Sequence, residues 1–257
     1  MHSLHLISHF FALNFFAFPL VRVPRRCIAY DGVMREGSQR PSISMFFSFD
    51  GVDGSGKTTQ IELFCDWLRE RGLHVTACRD PGSTPLGEAV RKILLEKNEI
   101  SIARRSEMLL YMAARAQLVE EVIAPALSAG QTVVSDRYLL ANVVYQGHAG
   151  GLDVPSLWQV GQIATGGLEP DLTFVLDLPD DQAAGRLNRE LDRMERQGEA
   201  FRKALRAGYL AEAARRPERI VVIDASRSIE AVQNDIRAAA GRVLGGGGEN
   251  REYGRLA

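Results

Sequence analysis

From Met45 onward, apolar runs of strand length alternate with longer stretches in which apolar residues recur at helical spacing. That alternation is the signature of a parallel sheet covered by helices on both faces. Strands are expected at Met45–Asp50, His74–Arg79, Thr132–Asp136, Leu172–Leu178 and Arg219–Asp224. The intervening helices fall at about Lys57–Arg71, Pro85–Leu95, Ile102–Ala129, Leu139–Gln146, Pro155–Thr165, Asp180–Arg189, Glu199–Arg215 and Ile229–Val243. The expected architecture is therefore α/β, three-layered, with a five-stranded parallel sheet in one domain spanning residues 45–244. No internal repeat is present.

Residues 1–44 have a different character. A Phe-rich run from His9 to Leu20 is followed by Arg22, Arg25 and Arg26, and no acidic residue precedes Asp31. The apolar run is too short to span a membrane and lacks a basic start or a small-residue cleavage site. An organellar presequence shares the Arg-rich, acid-poor composition but not the aromatic density. The favoured reading is an extension that is disordered or not native, with Met45 as the natural start. The segment 245–257 opens with four glycines and continues polar, so a loose tail is expected.

Composition narrows the function. With 31 basic against 32 acidic residues, nothing resembles the basic footprint of a nucleic-acid binder, and an anionic ligand must be held by local charge. Three cysteines, Cys27, Cys65 and Cys78, are too few and scattered for a disulfide framework or zinc site and suit a reducing cytoplasm.

The strongest chemical signal is Gly51-Val52-Asp53-Gly54-Ser55-Gly56-Lys57-Thr58-Thr59, which contains G-x-x-x-x-G-K-T between an expected strand and an expected helix. The glycines let successive backbone N–H groups point inward, forming an anion nest at the positive end of a helix dipole. Lys57 can reach the β- and γ-phosphates of ATP, and the Thr58 hydroxyl can coordinate the bridging Mg²⁺. A GTPase would carry an Asn-Lys-x-Asp segment, which is absent, and the chain is short for a motor ATPase. A small-molecule phosphoryl transferase remains, with its second substrate beyond the carboxyl ends of the strands.

Four further segments resemble the thymidylate kinase family, over about Met45–Val243. The first is Asp53 within the loop, which by that resemblance approaches the sugar 3′-hydroxyl of the acceptor. Next is Arg79-Asp80-Pro81-Gly82-Ser83-Thr84, similar to the family's Arg-Glu-Pro-Gly-Gly-Thr but with Asp80 and Ser83 substituted, which leaves the role of Asp80 open. Third is Tyr111-Met112-Ala113-Ala114-Arg115-Ala116-Gln117. There the resemblance implies that Tyr111 stacks on the base, Arg115 bonds a thymine carbonyl and Gln117 supports them. Tyr111 and Arg115 share a helix face. Last is Asp136-Arg137-Tyr138 with Tyr145-Gln146-Gly147 seven residues beyond. Here the resemblance implies that Asp136 helps hold Mg²⁺, Arg137 clamps the acceptor phosphate, Asn142 and Gln146 meet the base, and Tyr145 crowds the sugar 2′ position.

The stretch Arg186–Arg196 looks like the family's mobile lid. The loop offers Lys57 as its one cation, so an arginine of the lid is expected at the transferred group: Arg193 first, Arg186 or Arg189 second. The resemblance thus implies ATP and dTMP as substrates, Mg²⁺ as cofactor, dTDP as product for dTTP synthesis, and a homodimer. A deoxynucleoside kinase and a non-catalytic ATP-binding switch are the competing readings. The first has no use for a phosphate clamp at Arg137, and the second would be expected to lack Lys57 or the lid arginines.

Overall fold

A computed structural model describes residues 44–95, 101–179, 182–183 and 198–245, all within one compact unit, Arg40–Ala257. The elements run β1 (Phe46–Gly51), α1 (Lys57–Arg69), β2 (Val75–Arg79), α2 (Pro85–Leu95), α3 (Arg104–Leu118), α4 (Ala124–Ser128) and β3 (Thr132–Asp136). They continue as α5 (Leu139–Asn142), α6 (Val154–Thr165), β4 (Leu172–Asp177), α7 (Glu199–Arg215), β5 (Ile220–Asp224) and α8 (Ile229–Gly245). The five strands form one sheet, ordered β2-β3-β1-β4-β5, and every pairing is parallel. The expected fold class is thus the observed one.

Strand β1 sits at the centre, and its alternation builds the two layers. Phe47 and Phe49 point into one core, where Phe47 meets Phe64 edge-on at 5.2 Å and Phe49 meets Phe174 at 4.9 Å. Phe46 points the other way, against Tyr138 at 4.9 Å. Each of these rings is buried and contributes about 1.5–3 kcal/mol by leaving water. Ser48 and Asp50 follow on the Phe46 face, so the alternation that packs the core also carries a carboxylate to the strand's end.

Helix α2 starts where its sequence says it should. Pro85 fills the first helical position, where its missing N–H costs nothing, and the Thr84 hydroxyl accepts from the Gly87 N–H at 2.9 Å. The single helix expected over Ile102–Ala129 is instead α3 and α4 joined by a wide π turn at Val119–Ile123. Pro125 explains the break, because its ring clashes with the carbonyl four residues earlier and it cannot donate to it. A second π turn, Val143–His148, extends α5 and carries Tyr145 and Gln146. The expected extension, lid helix and tail lie outside the described residues almost entirely.

Candidate active site

The carboxyl ends of β1, β2 and β3 converge on one crevice. Register makes this unavoidable: Asp136 lies level with Phe49 on one side and with Arg79 on the other. The residues just after each strand, the loop 51–57, Asp80-Pro81 and Arg137, therefore face one another.

At the end of β1 the chain must turn inside the space of a backbone. Gly51 has φ +131°, and a Cβ there would sit 2.5 Å from the Leu176 carbonyl oxygen of β4, so no other residue fits. The loop closes through Ser55 N–H to the Val52 carbonyl at 3.3 Å. Gly56, φ 90°, caps α1 with no side chain, which leaves the first-turn N–H groups of the helix facing outward for an anion. Lys57 is buried, and its Nζ donates to the Gly51 and Val52 carbonyls at 3.1 and 3.0 Å.

Asp53 joins the two cations expected on opposite flanks. Its Oδ1 accepts from Arg137 Nη2 at 2.6 Å and stands 3.8 Å from Lys57 Nζ. Arg137 is held further by the Tyr145 hydroxyl at 3.1 Å and the Tyr209 hydroxyl at 3.2 Å, and it adopts φ 67°, an uncommon conformation for a non-glycine. Burial alone would raise the Asp53 carboxyl, but Arg137 and Lys57 together bring it down to about 2. Arg137 stays charged throughout, because Tyr145 and Asp53 outweigh the cost of its burial.

Asp50 behaves in the opposite way. It is fully buried beneath the loop, and burial lifts its carboxyl to about 6 despite Arg137 and Lys57 nearby. Tyr209 donates to it at 3.3 Å. Between about pH 4 and 6 the folded chain retains a proton there that the unfolded chain has lost, so this group makes stability fall as pH rises across that window. Asp53 acts with the other sign and lower down, losing its contribution only as pH falls towards 2. We expect Asp50→Asn to remove the decline between pH 4 and 6 and to raise stability at pH 7 by up to about 3 kcal/mol. Urea melts of both proteins from pH 4 to 8 would check this, and parallel profiles would refute it.

Beside these charges opens a cleft lined by Asp53, Asp80, Pro81, Arg91, Leu95, Tyr111, Arg115, Arg137, Ala141, Asn142, Tyr145 and Gln146, a concave site with convergent polar groups of the kind that binds a small molecule. Arg115, expected to bond a thymine carbonyl, lines the cleft yet is buried. Its Nε donates to Asp80 Oδ2 at 2.6 Å and its Nη1 to Asn142 Oδ1 at 3.0 Å. That bond answers the open question about Asp80, whose shortened side chain anchors Arg115. The Asp80–Pro81 peptide bond is cis.

Two expected contacts are elsewhere. Arg79 is exposed and pairs with Glu88 at 3.0 Å, where the helix α2 carboxylate captures it, and Gln117 bonds Glu121 one turn along its own helix. Neither lines the cleft. Conversely, sequence reading missed Asp50, Tyr209 and Arg91. Arg91 lines the cleft and donates to the Pro81 carbonyl at 3.1 Å. No motif marks any of the three, since Tyr209 and Arg91 arrive by tertiary packing of helices.

A divalent cation fits the donors at the strand ends. Asp136 Oδ1 is buried without a hydrogen-bond partner, and Thr58 lies exposed in the first turn of α1. A hard oxygen pair completed by phosphate and water suits Mg²⁺. Arg186, Arg189 and Arg193 lie outside the described residues.

Comparison with known proteins agrees with this geometry. Residues 49–236 match the family model described as thymidylate kinase. A thymidylate kinase of Symbiobacterium thermophilum is 46% identical over 203 residues, covering 79% of this chain and 95% of that protein. One from Rhodopirellula baltica is 43% identical over 198 residues, covering 77% and 80%. The crystal structure of a thymidylate kinase from Ehrlichia chaffeensis superposes with a TM-score of 0.60 at 29% identity, covering 76% of this chain and 98% of that one. The cleft shares the Asp53 carboxylate with a phosphate loop, and by these matches the chain belongs to the thymidylate kinase family.

Proposed function

We propose that this chain transfers the γ-phosphoryl group of ATP to the phosphate of dTMP, giving dTDP and ADP. The observation that carries the reading is Asp53, one carboxylate within 3.8 Å of both Lys57 and Arg137, so donor and acceptor phosphates meet in one crevice. The acceptor phosphate oxygen attacks the γ-phosphorus in line, the new P–O bond forms as the bridging oxygen to the β-phosphate leaves, and ADP takes the released electron pair. That attacking oxygen is already ionised, so no strong base is required.

Each residue then has a task. The loop 51–59 cradles the triphosphate and Lys57 bonds its β- and γ-oxygens. Arg137, oriented by Tyr145 and Tyr209, forks onto the acceptor phosphate. Asp53 receives the sugar 3′-hydroxyl, and Tyr145 crowds the 2′ position. Tyr111 and Pro81 cover the base, while Arg115, Asn142 and Gln146 read its edge. Mg²⁺, held through Thr58 and Asp136, would screen the charge building on the phosphates. Arg193, with Arg186 as second choice, would supply the cation from the lid.

The reading extends to a cytoplasmic homodimer. Leu109 on α3 and Ile163 on α6 are 54% and 83% exposed, on helices that pack against each other. Among the described residues Cys65 and Cys78 are buried free thiols, as a reducing compartment favours. No helix of the described residues is long and apolar enough to cross a membrane.

An ADP-release assay with dTMP, dUMP, dCMP and thymidine as competing acceptors tests the central claim. We expect dTMP to dominate and thymidine to be inert. Preference for thymidine would replace the proposal with a nucleoside kinase, and ATP binding without turnover on any acceptor would leave a switch module.

A further inference from the structure

Behind the cleft wall stands a carboxylate that the chemistry above does not use. Glu107, in the first turn of α3, is 6% exposed and is not among the cleft-lining residues. It accepts from Gln146 Nε2 at 2.9 Å. Gln146 Oε1 then accepts from Asn142 Nδ2 at 2.6 Å, and Asn142 Oδ1 accepts from Arg115 Nη1 at 3.0 Å. The chain runs through three cleft-lining side chains and ends on Arg115, whose other edge is fixed by Asp80.

A primary amide can ordinarily present either its oxygen or its nitrogen to a neighbour. Here both ends of the row forbid that freedom, because a guanidinium only donates and a carboxylate only accepts. Each end demands the same polarity from the two amides between them. In that polarity Gln146 and Asn142 each keep a second N–H beyond those already engaged, beside the donors of Arg115. Rotating either amide would place nitrogen against nitrogen or oxygen against oxygen inside a buried row, at the cost of an unmade bond.

The pattern matters for the base. Thymine and uracil carry an oxygen at position 4, which accepts, whereas cytosine carries an amino group, which donates. A fixed donor facing position 4 pairs with the first and opposes the second, and a buried polar mismatch is the kind that discriminates strongly. Asn142 and Gln146 can enforce this only while their orientation is locked.

We propose that Glu107 is a positioning residue that locks the polarity of this row, so that the cleft selects a 4-oxo over a 4-amino pyrimidine nucleotide. The proposal rests on the acceptor being a pyrimidine nucleotide. Glu107→Gln keeps the size and one acceptor oxygen but adds an N–H that can face Gln146, so the lock is left to Arg115 alone. With this variant, the ratio of kcat/KM for dTMP to that for dCMP is expected to fall roughly tenfold, while the melting temperature stays within a few degrees.

A purely structural Glu107 would shift the melting temperature and leave that ratio unchanged, and a folded Glu107→Gln protein with the wild-type ratio overturns the proposal. Should Glu107→Gln fold poorly, the double exchange Glu107→Gln with Gln146→Glu serves instead. It keeps the bond between the two positions and the total charge, and it moves the acceptor-only group into the cleft. Preference is expected to swing towards dCMP, and a retained dTMP preference would also overturn the idea. Calorimetric binding of dTMP and dCMP to the wild type separates this from the catalytic reading. Discrimination without turnover removes the kinase assignment and leaves Glu107 in place, while equal binding of both nucleotides removes the role of Glu107 whatever the turnover.

Discussion

Replacing Lys57 with alanine is expected to lower kcat on the order of a thousandfold, the scale seen when one preorganised charge is removed from a transition state. Its Nζ lies buried within the loop, bonded to the carbonyls of Gly51 and Val52 and 3.8 Å from Asp53. A triphosphate in that loop meets a cation already desolvated and aimed, and water in an alanine-sized gap cannot reproduce the charge. The fold should survive. Two loop carbonyls lose a donor at about 1–3 kcal/mol, within the reserve of a domain of this size, while the core around Phe49, Phe64 and Phe174 is untouched. Single-turnover rates with saturating ATP and dTMP, alongside a thermal melt, measure both effects. A folded Lys57→Ala protein with turnover near wild type would end the phosphoryl-transfer reading.

Arg137→Ala should act on the other substrate. We expect KM for dTMP to rise roughly a hundredfold, because a charge-assisted fork onto phosphate is lost, with a smaller change in kcat. Interactions made equally in the bound and transition states appear in KM alone. Stability should also fall, by about 3–5 kcal/mol, since Asp53 would be left facing Tyr145 without its closest cation. The Asp53 carboxyl should then titrate well above its present value of about 2. Arg137→Lys is the informative companion, because it restores charge but not the fork, and it should recover stability more fully than KM. Steady-state kinetics with dTMP varied would decide, and an unchanged KM in the alanine variant would remove Arg137 from the acceptor site.

What the sequence made legible was whatever depends on neighbours along the chain. Thr132–Asp136 was read to the residue because an apolar run sits between a glycine turn and charges, and Pro85 fixed the start of α2. The loop 51–59 announces itself because glycines, Lys57 and Thr58 must be adjacent to do their work. The helix over 102–129 was read as continuous because its apolar period survives the π turn, and Pro125 alone warned otherwise. Side chains gathered from distant segments were harder. Tyr209 reaches Arg137 and Asp50 from a helix far along the chain, and no local pattern distinguishes it from an ordinary core tyrosine. Arg115 was placed at the cleft but not in its row of bonds, which needs Asp80, Asn142, Gln146 and Glu107 to be seen together. The pairing of Arg79 with Glu88, nine residues on, is likewise invisible to any local pattern.

The phosphate loop, Asp80, Pro81 and Arg137 all hang from one edge of the sheet, the carboxyl ends of β1, β2 and β3. The opposite edge includes tight returns such as the one after α1, closed by the Arg71 and Gly72 N–H groups on the carbonyls of Leu68 and Arg69, where Gly72 has open space around it but a φ of +80° that keeps the position for glycine. The return after α1 therefore points away from the crevice: a reporter peptide spliced beside Gly72 would ride on the enzyme without meeting the chemistry.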